Sequence, residues 1–188
     1  ISGGNEMTVF IIIAVVVVLA IYIIGVNNKY VRLRNQSEEA GSALDAHLKQ
    51  RYDLVPNLVE TVKGYAKHEQ KTLTAVSEAR KAAVAAPSLE ARDEADKAFT
   101  STLRSLFALS ESYPDLKANQ GFLDLQGQLT KIEEQLLGAR KYYNAVIKQM
   151  NTLTEVFPAS LVAKILNFSK KPYLVIEEEA RSRVEVKF

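Results

Sequence analysis

Residues able to carry covalent, acid–base or metal chemistry are few in this 188-residue chain, and their spacing works against them. It contains no cysteine and two histidines, so thiolate nucleophiles, disulfide frameworks, zinc knuckles and lipid-bearing cysteines are all ruled out. His68 and Glu69 lie in KHEQK, which lacks the second histidine four residues on that a HExxH zinc site requires. His47, with Asp45 and Arg51 nearby, is expected to be an ordinary helix-surface residue. The pairs Glu38-Glu39 and Glu133-Glu134 and the run Glu177-Glu178-Glu179 are adjacent in sequence. On a helix such neighbours point about 100° apart, so they do not form a facing acid/base dyad. No serine stands in GxSxG, and the eight glycines are scattered singly, without a phosphate-cradling loop. The expectation is therefore a non-enzyme, with no catalytic residue, metal or cofactor.

Two polar groups remain. Arg51, Tyr52, Asp53 and Asn57 surround Pro56 within RYDLVPNLV. A proline inside a helical stripe removes an amide donor and clashes with the preceding turn, so a kink or break is expected there, with freed carbonyls in need of donors. The group would either satisfy that kink and pair helices, or form a docking patch for a partner. Arg140, Tyr143 and Asn144 lie on or beside a long apolar seam. There a buried polar group could fix register and oligomer state, or Arg140 could snorkel to the surface.

The elements that must position these residues follow from hydrophobic periodicity. Met7–Val26 carries no charge and, as a helix, is roughly 30 Å long, the thickness of the hydrocarbon layer of a bilayer. A cleaved signal peptide fits poorly: the apolar core is too long, no small-x-small site follows, and Glu6 stands where a basic flank belongs. A single-pass anchor in the cell (inner) membrane is expected, in contact with lipid. Lys29, Arg32 and Arg34 follow the span closely, which favours a cytoplasmic carboxyl-terminal domain. The span holds no GxxxG and no ionisable group at mid-membrane, which argues against tight span pairing and against a transporter.

Beyond the anchor the pattern is helical. Leu44, Leu48, Tyr52, Val55, Val59, Val62 and Ala66 form one stripe, and Leu73, Val76, Ala79 and Ala83 a second, which stops at Pro87. Ser88 can cap the next helix, whose face is Phe99, Leu103, Leu106, Ser110 and Tyr113, closed by Tyr113-Pro114-Asp115. From Leu125 through Leu129, Ile132, Leu136, Ala139, Tyr143, Val146, Met150 and Leu153 to Phe157 the apolar positions alternate by four and three. Such a seam packs knobs into holes against other helices. A helix from Leu116 to Phe157 would reach about 60 Å. Pro158 ends it, a short amphipathic helix follows in ASLVAKILNF, and the tail is expected to be an extended arm or short helix. The formal charge of +2 is interleaved, as in KIEEQ, ARDEADK and EEEARSR. Those runs are expected to be solvated helix surfaces, and no nucleic-acid partner is expected. The fold class is all-α: a tail to residue 6, a transmembrane helix over 7–26, an antiparallel long-helix bundle over 27–167 and a tail over 168–188.

KQRYDLVPNLVETVKGYAKHE, from Lys49 to Glu69, resembles the signature of the LemA family of bacterial and archaeal membrane proteins. Further matches are YPDLKAN from Tyr113 to Asn119, then Phe122, Leu125, Leu129 and Glu133, and the set Ala139, Arg140, Tyr143, Asn144, Ala145 and Val146. Asn151, Phe157-Pro158, the Leu33–Ala40 stretch and Glu177–Arg181 also fit, so the resemblance covers nearly the whole chain. Gly41 departs from it, since relatives commonly carry a large aromatic there. The resemblance implies a long-helix bundle on an amino-terminal anchor and no established biochemical activity. Some relatives are associated with building membrane compartments, and others are encoded near membrane proteases. The resulting expectation is a membrane scaffold that forms a homo-oligomer; the alternative is an adaptor docking onto a membrane protease or another membrane protein.

Overall fold

The structure, a computed structural model, describes residues 2–176, with side chains from Asn5 onward. All regular structure among these residues is helical: α1 (Ser2–Tyr65), α2 (Gln70–Ala85), α3 (Leu89–Ser110), α4 (Pro114–Lys117), α5 (Gln120–Glu155) and α6 (Ala159–Ile165). Helix α1 is long and apolar enough to cross a membrane. Every residue from Asn5 to Gly25 is exposed, so no protein surface covers the apolar span short of its last residue, Val26. The described residues divide into two compact units, one of residues 2–39 with Asn144–Tyr173, the other of Ala40–Tyr143 with residues 174–176.

In the larger unit the expected stripes become the core. Leu44, Leu48, Val55, Val62 and Ala66 of α1, Val76 and Ala83 of α2, Phe99 and Leu106 of α3, and Phe122 and Leu136 of α5 are all fully or nearly fully buried. Leu58, off the expected stripe, is buried as deeply, and Val59 is only half-buried. Helix α5 runs antiparallel to α1, since Tyr143 stands by Gly41 while Glu133 reaches Arg51. A β-carbon on Gly41 would lie 3.2 Å from Leu89 Cδ2 and 3.7 Å from the Tyr143 ring, so these two side chains occupy the space that an aromatic at 41 would need. Ser88 caps α3 as expected, accepting the Ala91 amide at 3.1 Å.

The family-like motifs meet at the turns. Tyr113 donates to Glu69 Oε1 at 3.0 Å, and Asn119 donates to the Tyr65 hydroxyl at 3.0 Å. Asn119 Oδ1 also accepts the Phe122 amide at 2.9 Å, which caps α5. Pro114 opens the single turn α4 and does not close α3, so the long helix begins at Gln120 and not at Leu116.

In the smaller unit, Val146, Ile147, Met150 and Leu153 of α5 and Ala159, Val162 and Ala163 of α6 are buried, with Val26, Tyr30 and Leu33 of α1. Tyr30 stacks on Phe168, centroids 3.7 Å apart. Asn151 holds the tail from both sides: its Nδ2 donates to the Lys171 carbonyl at 2.9 Å and its Oδ1 accepts the Lys171 amide at 3.0 Å. One expectation fails here. Phe157 is 75% exposed, because α5 ends at Glu155 and the chain turns at Pro158. Residues Lys171–Ile176 are neither strand nor helix, in keeping with the expected extended arm, and Leu174, which belongs to the larger unit, is buried; the stretches EEEARSR and VEVKF lie outside the described residues.

Candidate functional site

The proline is where local rules and structure part. Helix α1 runs through Pro56 without a break. Proline has no amide to offer the carbonyl four residues earlier, and that carbonyl belongs to Tyr52. Arg80 of α2 supplies the donor, its Nε reaching the Tyr52 oxygen at 2.7 Å. The need for a donor was legible; its source was not. Asp53, Pro56 and Asn57 face outward and are exposed, while Arg51 and Tyr52 turn inward and are buried. The expected motif is thus two faces of one helix.

Arg51 and Tyr52 enter a buried ion cluster with α3 and α5. Arg51 Nη1 donates to Asp96 Oδ2 at 2.8 Å, and the Tyr52 hydroxyl donates to Asp96 Oδ1 at 3.1 Å. From α5, Arg140 Nε donates to Asp93 Oδ1 at 2.6 Å and its Nη2 to Asp96 Oδ2 at 2.9 Å. Asp96 therefore accepts from three side chains on two helices. Glu133 Oε2 stands 2.7 Å from Arg51 Nη2 in an ion contact that lacks hydrogen-bond geometry, leaving Glu133 Oε2 and Arg51 Nε without hydrogen bonds. The Phe99 ring completes the wall: Arg51 lies over it at 5.3 Å, and Tyr52 meets it edge-on at 5.4 Å.

Asp93 and Asp96 are 2% and 1% exposed, which corrects the reading of ARDEADK as a solvated surface. They sit six and three residues before Phe99, on the backward extension of the α3 apolar face, and that spacing was the available signal. Arg140 does not snorkel to the surface: its side chain is 11% exposed and is held between Asp93 and Asp96. Tyr143 is buried and Asn144 half-buried. His47 is half-buried, and its Nδ1 lacks a hydrogen-bond partner.

Burial sets the electrostatics. It pushes Tyr52 well above the ordinary tyrosine range, and the Asp96 carboxylate adds to the effect. Burial also raises Asp93, against the pull of Arg140. For Arg140 burial acts downward, but Asp93 and then Asp96 outweigh it and hold the guanidinium above its usual value. The pair divides unevenly because Arg140 has two carboxylates, whereas Asp93 has one close guanidinium. A groove of about 360 Å³ lies alongside, lined in part by Arg51, Asp96 and Arg140, with Leu103 and Phe107 of α3 and Leu129 of α5. Arg51, Asp96 and Arg140 are engaged with one another, so the cluster joins three helices. Among the described residues no group of three or more His, Asp or Glu is placed to hold a metal ion.

The family model for the LemA family matches residues 40–188. The chain is also similar to Protein LemA of Metamycoplasma hominis, with 25% identity over 177 residues, covering 89% of this chain and 78% of that protein. The matched region takes in the cluster, Pro56 and the α5 seam. This chain belongs to the LemA family.

Proposed function

We propose that the chain is a non-catalytic scaffold, anchored by α1 in a membrane and self-assembling there. The observation that carries this reading is the exposure of every residue from Asn5 to Gly25 on a helix that continues unbroken into a packed bundle. A fully apolar surface of that length needs lipid around it, and the ionised groups inside the bundle neutralise one another across helices. Amine-reactive cross-linking in native membranes tests the assembly. The expected result is a ladder of discrete multiples; monomer alone at every cross-linker dose overturns it.

A second reading, an adaptor docking onto a membrane protease or other membrane enzyme, is favoured by the outward row of Asp53, Pro56 and Asn57 on α1. It predicts a co-purifying partner that Asn57→Ala abolishes while helicity stays intact. A partner retained at full yield by Asn57→Ala sinks it.

A further inference from the structure

Helix α6 presents an apolar face with no protein over it. Ala159, Val162 and Ala163 are buried, but Phe157, Leu161 and Ile165, spaced by four, are 75%, 52% and 74% exposed, and Val156 beside them is 52% exposed. Side chains of this size gain from leaving water, so a water-facing Phe-Leu-Ile stripe is a standing cost.

The level of this stripe is fixed within its own unit. Tyr30 stacks on Phe168, three residues past α6, and its hydroxyl accepts the Ser169 amide at 3.3 Å and meets the Ser169 carbonyl at 3.4 Å. Farther along α1, Lys171 Nζ is 3.0 Å from Ser37 Oγ. The residues after α6 therefore lead away from the span, and α6 sits toward it. Tyr30 lies about 6 Å along the helix from Val26, where the apolar span ends. Val26 is the first residue of that span with protein over it, at 8% exposed. Cations share this level: Lys29 and Arg32 on α1 and Lys164 within α6 are exposed.

We infer that α6 is an interfacial helix whose Phe157-Leu161-Ile165 face enters the headgroup–acyl boundary of the bilayer that α1 crosses. The inference rests on the membrane reading above and adds a second lipid contact to it. A lipid surface fits this face better than a second copy of the chain does. The stripe adjoins the part of α1 that lipid must already cover, and the lysines and arginines around it suit anionic headgroups. Between two copies those like charges would be brought together. Interfacial helices of this type bury their apolar face about 5–10 Å deep, within reach of a helix followed closely by Phe168, which is held at Tyr30 one turn from the end of the span.

The chain has no cysteine, so single labelling sites can be introduced at exposed positions without removing any. Full-length Ile165→Cys and, separately, Leu161→Cys carry an environment-sensitive fluorophore in vesicles of phosphatidylcholine and phosphatidylglycerol. Shallow nitroxide-labelled lipid and aqueous iodide serve as quenchers. Val18→Cys in the span and Lys141→Cys on the exposed side of α5 are the references. The expected result is that labels at 165 and 161 are quenched severalfold more by the lipid nitroxide than by iodide, as at 18 and opposite to 141. If 165 and 161 follow 141 while 18 remains lipid-quenched, the interfacial helix is wrong and the anchor stands. If 18 is iodide-quenched too, the membrane reading itself falls. Shielding of 165 and 161 from both quenchers means that a second copy covers the face, which also overturns the inference.

Discussion

The pairing of Arg80 with the carbonyl orphaned by Pro56 lends itself to a double-mutant cycle. Arg80→Leu keeps an apolar stem on α2 but removes the donor 2.7 Å from the Tyr52 oxygen. With proline at 56 no helical amide can take its place, so a half-buried carbonyl is left unpaired, at a cost of about 1–3 kcal/mol. Pro56→Ala restores the amide, and the same Arg80→Leu change should then cost under about 1 kcal/mol, since the carbonyl keeps a partner. The expected coupling of about 1–2 kcal/mol exceeds the roughly 0.3–0.5 kcal/mol scatter of independent sites. Heat and urea unfolding of the four full-length proteins in one mild detergent, followed by far-ultraviolet circular dichroism, measures it. Equal costs of Arg80→Leu in the two backgrounds would refute the reasoning, because Arg80 would then be stabilising α1 by ordinary packing.

Asp96→Ala should destabilise by about 3 kcal/mol, because it removes the buried carboxylate that Arg51 and Arg140 share. Glu133→Ala, whose side chain is 45% exposed, should cost under about 1 kcal/mol; similar losses for the two in parallel melts would show that the cluster is not buried as described. Tyr52 holds its proton beyond the ordinary value of about 10, so the unfolded chain releases that proton first and stability should fall with rising pH above 10. This residue contributes about 1.4 kcal/mol per pH unit to that fall, and Tyr52→Phe should flatten the alkaline limb of the stability–pH curve; an unchanged slope contradicts the placement. Asn119→Ala should lower stability by about 0.5–2 kcal/mol through loss of the α5 cap, with Asn119→Asp recovering most of it in the same assay.

The sequence showed apolar faces well and polar interiors poorly. Leu129, Ile132, Leu136, Tyr143, Val146 and Met150 are buried as their spacing requires, because a helix has only one way to place residues that alternate by four and three. The same rule missed Ile147, which is fully buried beside Val146, and Asn151, which anchors the tail. A one-seam pattern is narrower than the contact α5 makes. Asp93 and Asp96 were misread because an acid on a helix is ordinarily solvated. What buries them is Arg51 and Arg140, 42 to 47 positions away in the chain, and no local window contains both. The continuous helix at Pro56 was hidden for the same reason: Arg80 is 28 residues from the carbonyl it serves. Phe157 obeyed the seam in sequence and left it in space, since α5 ends at Glu155, three residues before Pro158.

The composition of the cluster has a consequence for the surroundings in which the bundle holds. Arg51 and Arg140 are matched by Asp93 and Asp96, so these four charges sum to zero, and their side chains are no more than 11% exposed. Mobile ions weaken pairs such as Lys81–Glu78 on the outside, but they have little access to this one. The contact between α1, α3 and α5 is accordingly far less sensitive to ionic strength than the outer pairs, and added salt should weaken those before it loosens the three helices.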